Sequence, residues 1–91
     1  MINNQKQIKF NELKGIISEI NIAEDYCSIT LEVGHSNIRS VNLCSKAIYF
    51  DRLIQNFKIG DKVNAHFYLA SNKKNGRWYT TANLLNVFKE A

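Results

Sequence analysis

The feature that most constrains the fold is the alternation of apolar and polar residues in two neighbouring segments. Residues 26–33 place every second side chain on one apolar face, namely Cys27, Ile29, Leu31 and Val33. After a turn-rich stretch at residues 34–37, the alternation resumes over residues 38–44. A period of two is typical of a half-buried β-strand, because successive side chains point to opposite sides of the sheet. The two segments therefore predict a β-hairpin.

The register of this hairpin follows from its apolar residues, because paired strands must present them to the same side. The pairs expected on the apolar face are Leu31 with Val41 and Ile29 with Leu43. The outer face then pairs Ser28 with Cys44, Thr30 with Asn42, and Tyr26 with Lys46. Cys27 and Cys44, the two cysteines of the chain, fall on opposite faces. We therefore expect two free thiols and no disulfide.

The segment before this hairpin predicts another strand. Residues 8–22 fit either an imperfect helix or a long strand. Gly15 favours the strand, because a glycine costs about 1 kcal/mol inside a helix but marks a bend or a close approach in a strand. We therefore expect a strand that bends near Gly15.

A second hairpin is predicted after residue 62. Residues 63–69 alternate, and the side chains expected inside are Val63, Ala65, Phe67 and Leu69. The tip is expected at residues 72–76, and residues 77–88 form the returning strand. The apolar side chains of the returning strand, Ala82, Leu84 and Val87, cannot share one face of a regular strand. We therefore expect a β-bulge near Leu85.

One helix is predicted between the two hairpins. Within residues 45–57, apolar residues occur at positions 50, 53, 54 and 57, which is the i, i+3, i+4, i+7 spacing of an amphipathic helix. Ser45 precedes the pattern and is the expected N-cap. Gly60 follows it and is available for a positive φ in the turn that leads to the fourth strand.

The predicted order is strand, strand, strand, helix, strand, strand. An all-β, five-stranded Greek-key barrel with one α-helix between strands 3 and 4 is the OB-fold. An SH3-like barrel is the alternative, but that barrel normally lacks such a helix. At 91 residues the chain has room for one core. We expect a flexible N-terminal arm at residues 1–6 and a single OB-fold domain at residues 7–91.

Composition and motifs narrow the class of function. The net charge of +4 favours a polyanionic partner. The sequence shows neither an apolar run of the ~20 residues that span a bilayer nor a signal-peptide pattern, so we expect a cytoplasmic protein without membrane contact. His35 and His66 have no nucleophile or carboxylate at triad or ligand spacing, and both are expected to be ordinary surface residues. We expect no enzyme activity, no cofactor and no metal site.

The sequence resembles a family of short, mostly uncharacterised bacterial OB-fold proteins that are similar to single-stranded-DNA-binding proteins. The likeness lies in three stretches, at residues 15–20, 59–63 and 75–79. The resemblance implies an OB-fold with a role in binding single-stranded nucleic acid. Between these stretches the chain departs from the family, because residues 44–47 replace the tryptophan and glycine that such proteins often place after the third strand.

The candidate binding residues cluster at the second hairpin. OB-folds bind single strands with cations for the phosphates and aromatic rings for the bases. The hairpin supplies Lys73, Lys74, Arg77, Trp78 and Tyr79. Tyr26, Lys46 and Tyr68 on the outer strand faces, and Arg39 near the start of the third strand, are further candidates. In the alternative interpretation, Trp78 plugs one end of the barrel and the two lysines only solvate the hairpin. Glu24 and Asp25 argue against binding at the loop before the second strand.

Two classes of function remain open from the sequence. The first is largely sequence-independent binding of single-stranded DNA, through the second hairpin and the outer face of the first, in replication, recombination or repair. RNA is a possible ligand of the same kind. The second is a protein-interaction module or oligomeric subunit without nucleic-acid binding, paired through an open sheet edge or the helix. A homo-oligomer or a replication-protein partner is compatible with either class.

Overall fold

The computed structural model describes residues 10–90, and the N-terminal arm expected at residues 1–6 lies outside the described residues. Five strands and one helix occur in the predicted order. Their bounds are β1 Asn11–Ile22, β2 Tyr26–Val33, β3 Arg39–Lys46, α1 Ala47–Ile54, β4 Lys62–Lys74 and β5 Arg77–Lys89. The strands close into a barrel in the order β1-β2-β3-β5-β4, which confirms the predicted OB-fold architecture.

The register of the β2–β3 hairpin is the one expected from its apolar residues. Leu31 pairs with Val41 and Ile29 with Leu43, while Tyr26 pairs with Lys46 on the outer face. Cys27 is buried and Cys44 is half-buried, and both are free thiols. The apolar alternation determines this register because a slip of one residue would expose Ile29 and Leu31, which are fully buried.

The core lies inside the barrel and beneath α1. Phe50 of the helix is fully buried, as are inward side chains of β1 to β4, and two residues of β5 join them. The buried apolar set is Ile17, Cys27, Ile29, Leu31, Leu43, Phe50, Val63, Ala65, Leu84 and Val87. No helix within residues 10–90 is long and apolar enough to cross a membrane.

β1 pairs with β4 along its first half and with β2 along its second half. Gly15 lies where the pairing changes from β4 to β2. Residues 11–16 pair with β4, whereas residues 16–22 pair with β2. A Cβ at Gly15 would lie 2.7 Å from the carbonyl oxygen of Glu32 and 2.8 Å from Cγ1 of Val33. A neighbouring backbone therefore approaches closely at Gly15, which is one of the two roles that a glycine inside a strand indicates. A separate irregularity in the β1–β2 pairing falls between Ile17 and Glu19.

The helix is shorter than its apolar pattern predicts, and its expected cap was wrong. Ser45 belongs to β3, where it pairs with Cys27, and its hydroxyl donates to the carbonyl of Lys46. The N-cap is Lys46, which makes no side-chain capping hydrogen bond. Strand pairing extends β3 to Lys46, so the helix begins only at Ala47. Phe57 lies after the end of the helix and still packs on the core.

β4 and β5 form the longest hairpin, and its turn is tighter than expected. Lys74 pairs with Arg77, so the turn consists of Asn75 and Gly76, whose φ angles are 52° and 79°. Two positive φ angles in an Asn-Gly pair are typical of a type I′ turn. The pairing shifts between His66 and Phe67, which leaves Leu85 as the extra residue and confirms the predicted bulge.

The outer part of this hairpin extends beyond the barrel and is called here the hairpin arm, residues 69–82. Leu69 was expected inside, and this expectation was wrong because the side chain is 59% exposed. The last paired residues with a buried member are Phe67 and Leu84. Beyond them, the barrel provides no wall opposite the inward face of β4.

Candidate nucleic-acid interface

The outer face of β2 and β3 carries a strip of small polar side chains. The amide of Asn42 on β3 donates to the hydroxyls of Ser28 and Thr30 on β2, at 3.1 and 3.0 Å. The thiol of Cys44 donates to the amide oxygen of Asn42 at 3.4 Å. These contacts hold the strip in one arrangement, so that it forms a flat polar floor beside the larger aromatic side chains.

A groove lies where this floor meets β5. β3 and β5 pair in parallel at Cys44 and Asn83. Towards the arm, an open groove of about 390 Å³ is lined by Tyr26, Cys44, Tyr68, Ala70, Asn72, Thr81 and Asn83. A cavity of about 230 Å³ continues it towards α1 and shares four of these residues, adding Ser45, Lys46, Tyr49 and Leu84. The two together are called here the tyrosine groove.

Three tyrosines from three different elements surround the groove. Tyr26 begins β2, Tyr49 lies in α1, and Tyr68 lies in β4. Their exposed fractions are 58%, 55% and 38%, so each ring offers a face to solvent while part of it packs on the protein. In proteins that bind single-stranded nucleic acid, bases stack on exposed aromatic rings and phosphates contact nearby cations, a position that Lys46 occupies here.

The hairpin arm divides the candidate residues between its two faces. Side chains of paired residues lie on the same side of an antiparallel sheet, and the side alternates along each strand. Tyr79 pairs with Asn72 and Arg77 with Lys74. Because Asn72 lines the tyrosine groove, these residues lie on the same side as the groove, which we call the groove face of the arm.

The opposite side, the far face of the arm, carries the other two candidates. Lys73 pairs with Trp78, and the ammonium nitrogen of Lys73 lies 5.9 Å from the centroid of the Trp78 ring. The hydroxyls of Ser71 and Thr80 are hydrogen-bonded at 2.9 Å on the same side. Trp78 is 67% exposed, so the alternative in which it plugs the barrel was wrong.

Arg39 is the candidate that lies apart from the others. It pairs with Val33 at one end of β3, whereas Lys46 pairs with Tyr26 at the other end. Seven residue steps along the strand separate the backbones of the two residues by about 23 Å. The sequence-predicted residues therefore comprise a group around the groove, a pair on the far face of the arm, and one distant arginine.

Sequence reasoning missed Tyr49, Cys44 and Asn83 as groove residues. Tyr49 lies off the apolar stripe of α1, and an aromatic residue at such a position, three residues after the lysine that ends β3, was the available signal. Cys44 was placed on the outer face, but the groove beside it depends on the β3–β5 pairing. That parallel pairing joins residues far apart in the chain, and no local pattern marks it.

His66 was expected to be an ordinary surface residue, and the structure corrects this. Its ring stacks on Phe10 with centroids 4.6 Å apart and meets the edge of Phe88 at 4.9 Å. Nε2 lies 3.3 Å from a carboxylate oxygen of Glu12. This cluster lies on the outer face of β1, β4 and β5. Within residues 10–90, no group of three or more His, Cys, Asp or Glu side chains is arranged to hold a metal.

Comparison with known proteins supports the fold that these strands define. No family model matches the chain, and no curated protein matches it. Among solved structures, the dimeric N-terminal domain of the PriB protein from Thermoanaerobacter tencongensis is similar, with a TM-score of 0.65 and 15% identity over 90% of this chain and 96% of that one.

Two further solved structures share the architecture. The small single-stranded DNA-binding protein from Streptomyces coelicolor has a TM-score of 0.53 and 8% identity, over 93% of this chain and 96% of that one. A small single-stranded DNA binding protein from Mycoplasma pneumoniae has a TM-score of 0.53 and 12% identity, over 91% and 94%. The chain is thus an OB-fold protein, and it shares its architecture with these three solved structures.

Proposed function

We propose that this protein binds single-stranded DNA, largely without regard to sequence, and acts without enzymatic chemistry in replication, recombination or repair. The observation that carries the proposal is the tyrosine groove, where three exposed rings surround a polar floor next to Lys46. Two of the solved structures that share the fold are described as single-stranded DNA-binding proteins. Such proteins combine a cationic path for the backbone with rings on which bases stack.

The proposed path of the strand runs from the groove onto the groove face of the arm. Bases stack on Tyr26, Tyr49 and Tyr68, and then on Tyr79. Phosphates contact Lys46, Lys74 and Arg77. Glu24 and Asp25 border the cavity beside Tyr26 and Lys46, and their charge directs the strand away from that side. Lys73 and Trp78 contribute from the far face, and Arg39 contributes where a longer strand continues along β3.

The proposal also covers the location of the protein, its domain organisation, and its further ligands and partners. We place it in the cytoplasm, as a domain formed by residues 7–91 with residues 1–6 as an arm. RNA is a further ligand of the same chemistry, because stacking and phosphate contacts do not require a deoxyribose. A homo-oligomer and a replication-protein partner are part of the same proposal.

The first test is a titration with labelled oligothymidylate at about 50 and 200 mM salt. Affinity is expected to fall steeply with salt. The lysine and arginine side chains release counterions from the phosphates when the strand binds, and this release is less favourable at high salt. Replacing Tyr68 by alanine is expected to weaken binding about 5- to 150-fold, which corresponds to about 1–3 kcal/mol for one stacked base.

Phe88→Ala is the matched control for this test. The side chain of Phe88 is 45% exposed, which is similar to the 38% of Tyr68. Phe88 lies beside His66 and does not line the groove. Equal losses in both variants would show that Tyr68 acts through stability and not through base contact. No binding of single strands at about 50 mM salt, together with a stable complex with another protein, would support the protein-interaction module instead.

A further inference from the structure

The proposed path through the tyrosine groove follows one side of the arm, and Trp78 and Lys73 lie on the other side. This face presents Trp78, the single tryptophan of the chain, and Leu69, which is 59% exposed. The small side chains of Ser71 and Thr80 lie between them, and Ala82 lies opposite Leu69. The hairpin has two rows of recognition groups, and only one row faces the tyrosine groove.

The two faces cannot contact the same nucleotide. Trp78 and Tyr79 are adjacent in the chain, so their side chains point to opposite sides of the two-stranded sheet. A base that stacks on Tyr79 has the arm's backbone between itself and Trp78. The pairing from Phe67–Leu84 to Lys74–Arg77 contains no shift of register, so the separation of faces is maintained along the whole arm.

The chemistry of the far face matches a polyanion with flat rings. The hairpin from Lys62 to Lys89 contains no aspartate or glutamate, so no carboxylate of the hairpin repels a phosphate. An indole offers the largest stacking surface among side chains, and the ammonium group of Lys73 lies over its ring, 5.9 Å from the centroid. The hydrogen-bonded hydroxyls of Ser71 and Thr80 lie on the same face, two positions along the strands from Lys73 and Trp78, and polar side chains of this kind contact sugars and phosphates.

We infer that the far face is a second binding site for single-stranded nucleic acid, so that one chain holds two segments of strand, one on each side of the arm. Bases stack on Trp78 and the adjoining phosphate contacts Lys73. The inference rests on the proposed function for the class of ligand, but it does not use the tyrosine groove. The two sites differ in their aromatic residues, and each can therefore be removed separately.

Fluorescence separates the two sites without a label on the protein. Because Trp78 is the single tryptophan, its emission reports the far face, whereas the anisotropy of a labelled oligothymidylate reports binding at both faces. An oligomer of about six nucleotides is used, near the short end of the site sizes of OB-folds, so that one molecule does not occupy both faces.

The expected results form a pattern across three variants. The original chain binds two short oligomers, and Trp78 emission is quenched. Tyr68→Ala weakens groove binding, yet the quenching of Trp78 remains at the same oligomer concentration. Trp78→Ala binds one oligomer per chain with the affinity of the groove, and Trp78→Phe restores the second at lower affinity. Circular dichroism verifies that each variant is folded, and the exposure of Trp78 favours this.

Four outcomes overturn the inference. If anisotropy shows binding while Trp78 emission does not change, the far face is not a nucleic-acid site and the proposed function stands. If Tyr68→Ala abolishes quenching and binding together, the chain has one continuous site. If Trp78→Ala changes the mass by light scattering but not the number of oligomers bound, the far face joins two copies of the chain. Absence of binding in both readouts removes the inference and the proposed function together.

Discussion

Lys46 is a residue at which two physical requirements conflict. Its backbone, with φ −63° and ψ 142°, has the extended conformation of a helix N-cap, but its side chain makes no capping hydrogen bond. Ser, Thr, Asp and Asn are preferred at this position because they accept from the first backbone N–H groups, and a cation there opposes the helix dipole. A phosphate in the tyrosine groove would explain why a lysine occupies the position.

Replacing Lys46 by serine is expected to stabilise the protein and weaken its binding. A serine cap contributes about 1 kcal/mol, which raises the melting temperature by about 4–8 °C in a domain of this size. Loss of one phosphate contact lowers the slope of log affinity against log salt by about 0.7. Thermal unfolding and salt-dependent titration measure the two effects.

Lys58→Ser is the matched control for Lys46→Ser. It removes the same charge from an exposed lysine in the turn before β4, outside the helix cap and the groove. Neither the melting temperature nor the salt slope is expected to change appreciably. A gain in stability at Lys46 without a loss of affinity would remove this residue from the binding site.

Among the elements, the register and facing of a hairpin could be predicted from the sequence only where one face of the hairpin is apolar. The β2–β3 register was predictable because both strands bury one set of side chains. In the hairpin arm both faces are exposed. The strand period therefore shows that adjacent side chains point to opposite faces, but it does not show which face lies towards the groove. That assignment needs Phe67 and Leu84 to be placed in the barrel and Cys44 to be paired with Asn83.

The arm is expected to contribute to binding and not to the stability of the barrel. In a shortened chain, residues 72–79 are replaced by Asn-Gly, so that Ser71 and Thr80 flank the same type of turn. Three cations are lost, and the slope of log affinity against log salt is expected to fall by about 2. Urea unfolding should keep its midpoint, since no fully buried side chain is removed.

A full-length arm with Lys73, Lys74 and Arg77 replaced by serine is the control for the shortened chain. It should show the same reduced salt slope but retain more affinity, because Tyr79 and Trp78 remain. If the shortened chain lost its cooperative unfolding transition, the arm would be part of the folding unit and its effect on binding would not be separable.

At the scale of the whole molecule, closure of the barrel depends on β1 passing from β4 to β2. Gly15 lies at this crossing, where the carbonyl of Glu32 leaves no space for a Cβ. The neighbouring contact is backbone and cannot move without disturbing the pairing of β1 with β2. The sequence indicated this role for Gly15 because a glycine inside a strand usually marks a bend or a place where another backbone comes close.

Gly15→Ala is therefore expected to destabilise the protein by about 1–3 kcal/mol, as overpacking in a close-packed region does. Urea unfolding followed by circular dichroism measures the change. Lys14→Ala is the control on the same strand, because its side chain is exposed and makes one surface ion pair with Glu90 at 3.5 Å. That variant is expected to stay within about 0.5 kcal/mol of the original chain. An equally small effect at Gly15 would contradict the crowded crossing.

The two cysteines have very different surroundings, and this has a practical consequence. Cys27 is 4% exposed in the core, whereas Cys44 is half-buried in the wall of the tyrosine groove. A maleimide dye or a spin label would react with the folded chain at one position, without any engineered substitution. The natural sequence therefore already contains a chemical attachment point from which a spectroscopic signal can report whether the groove is empty or occupied.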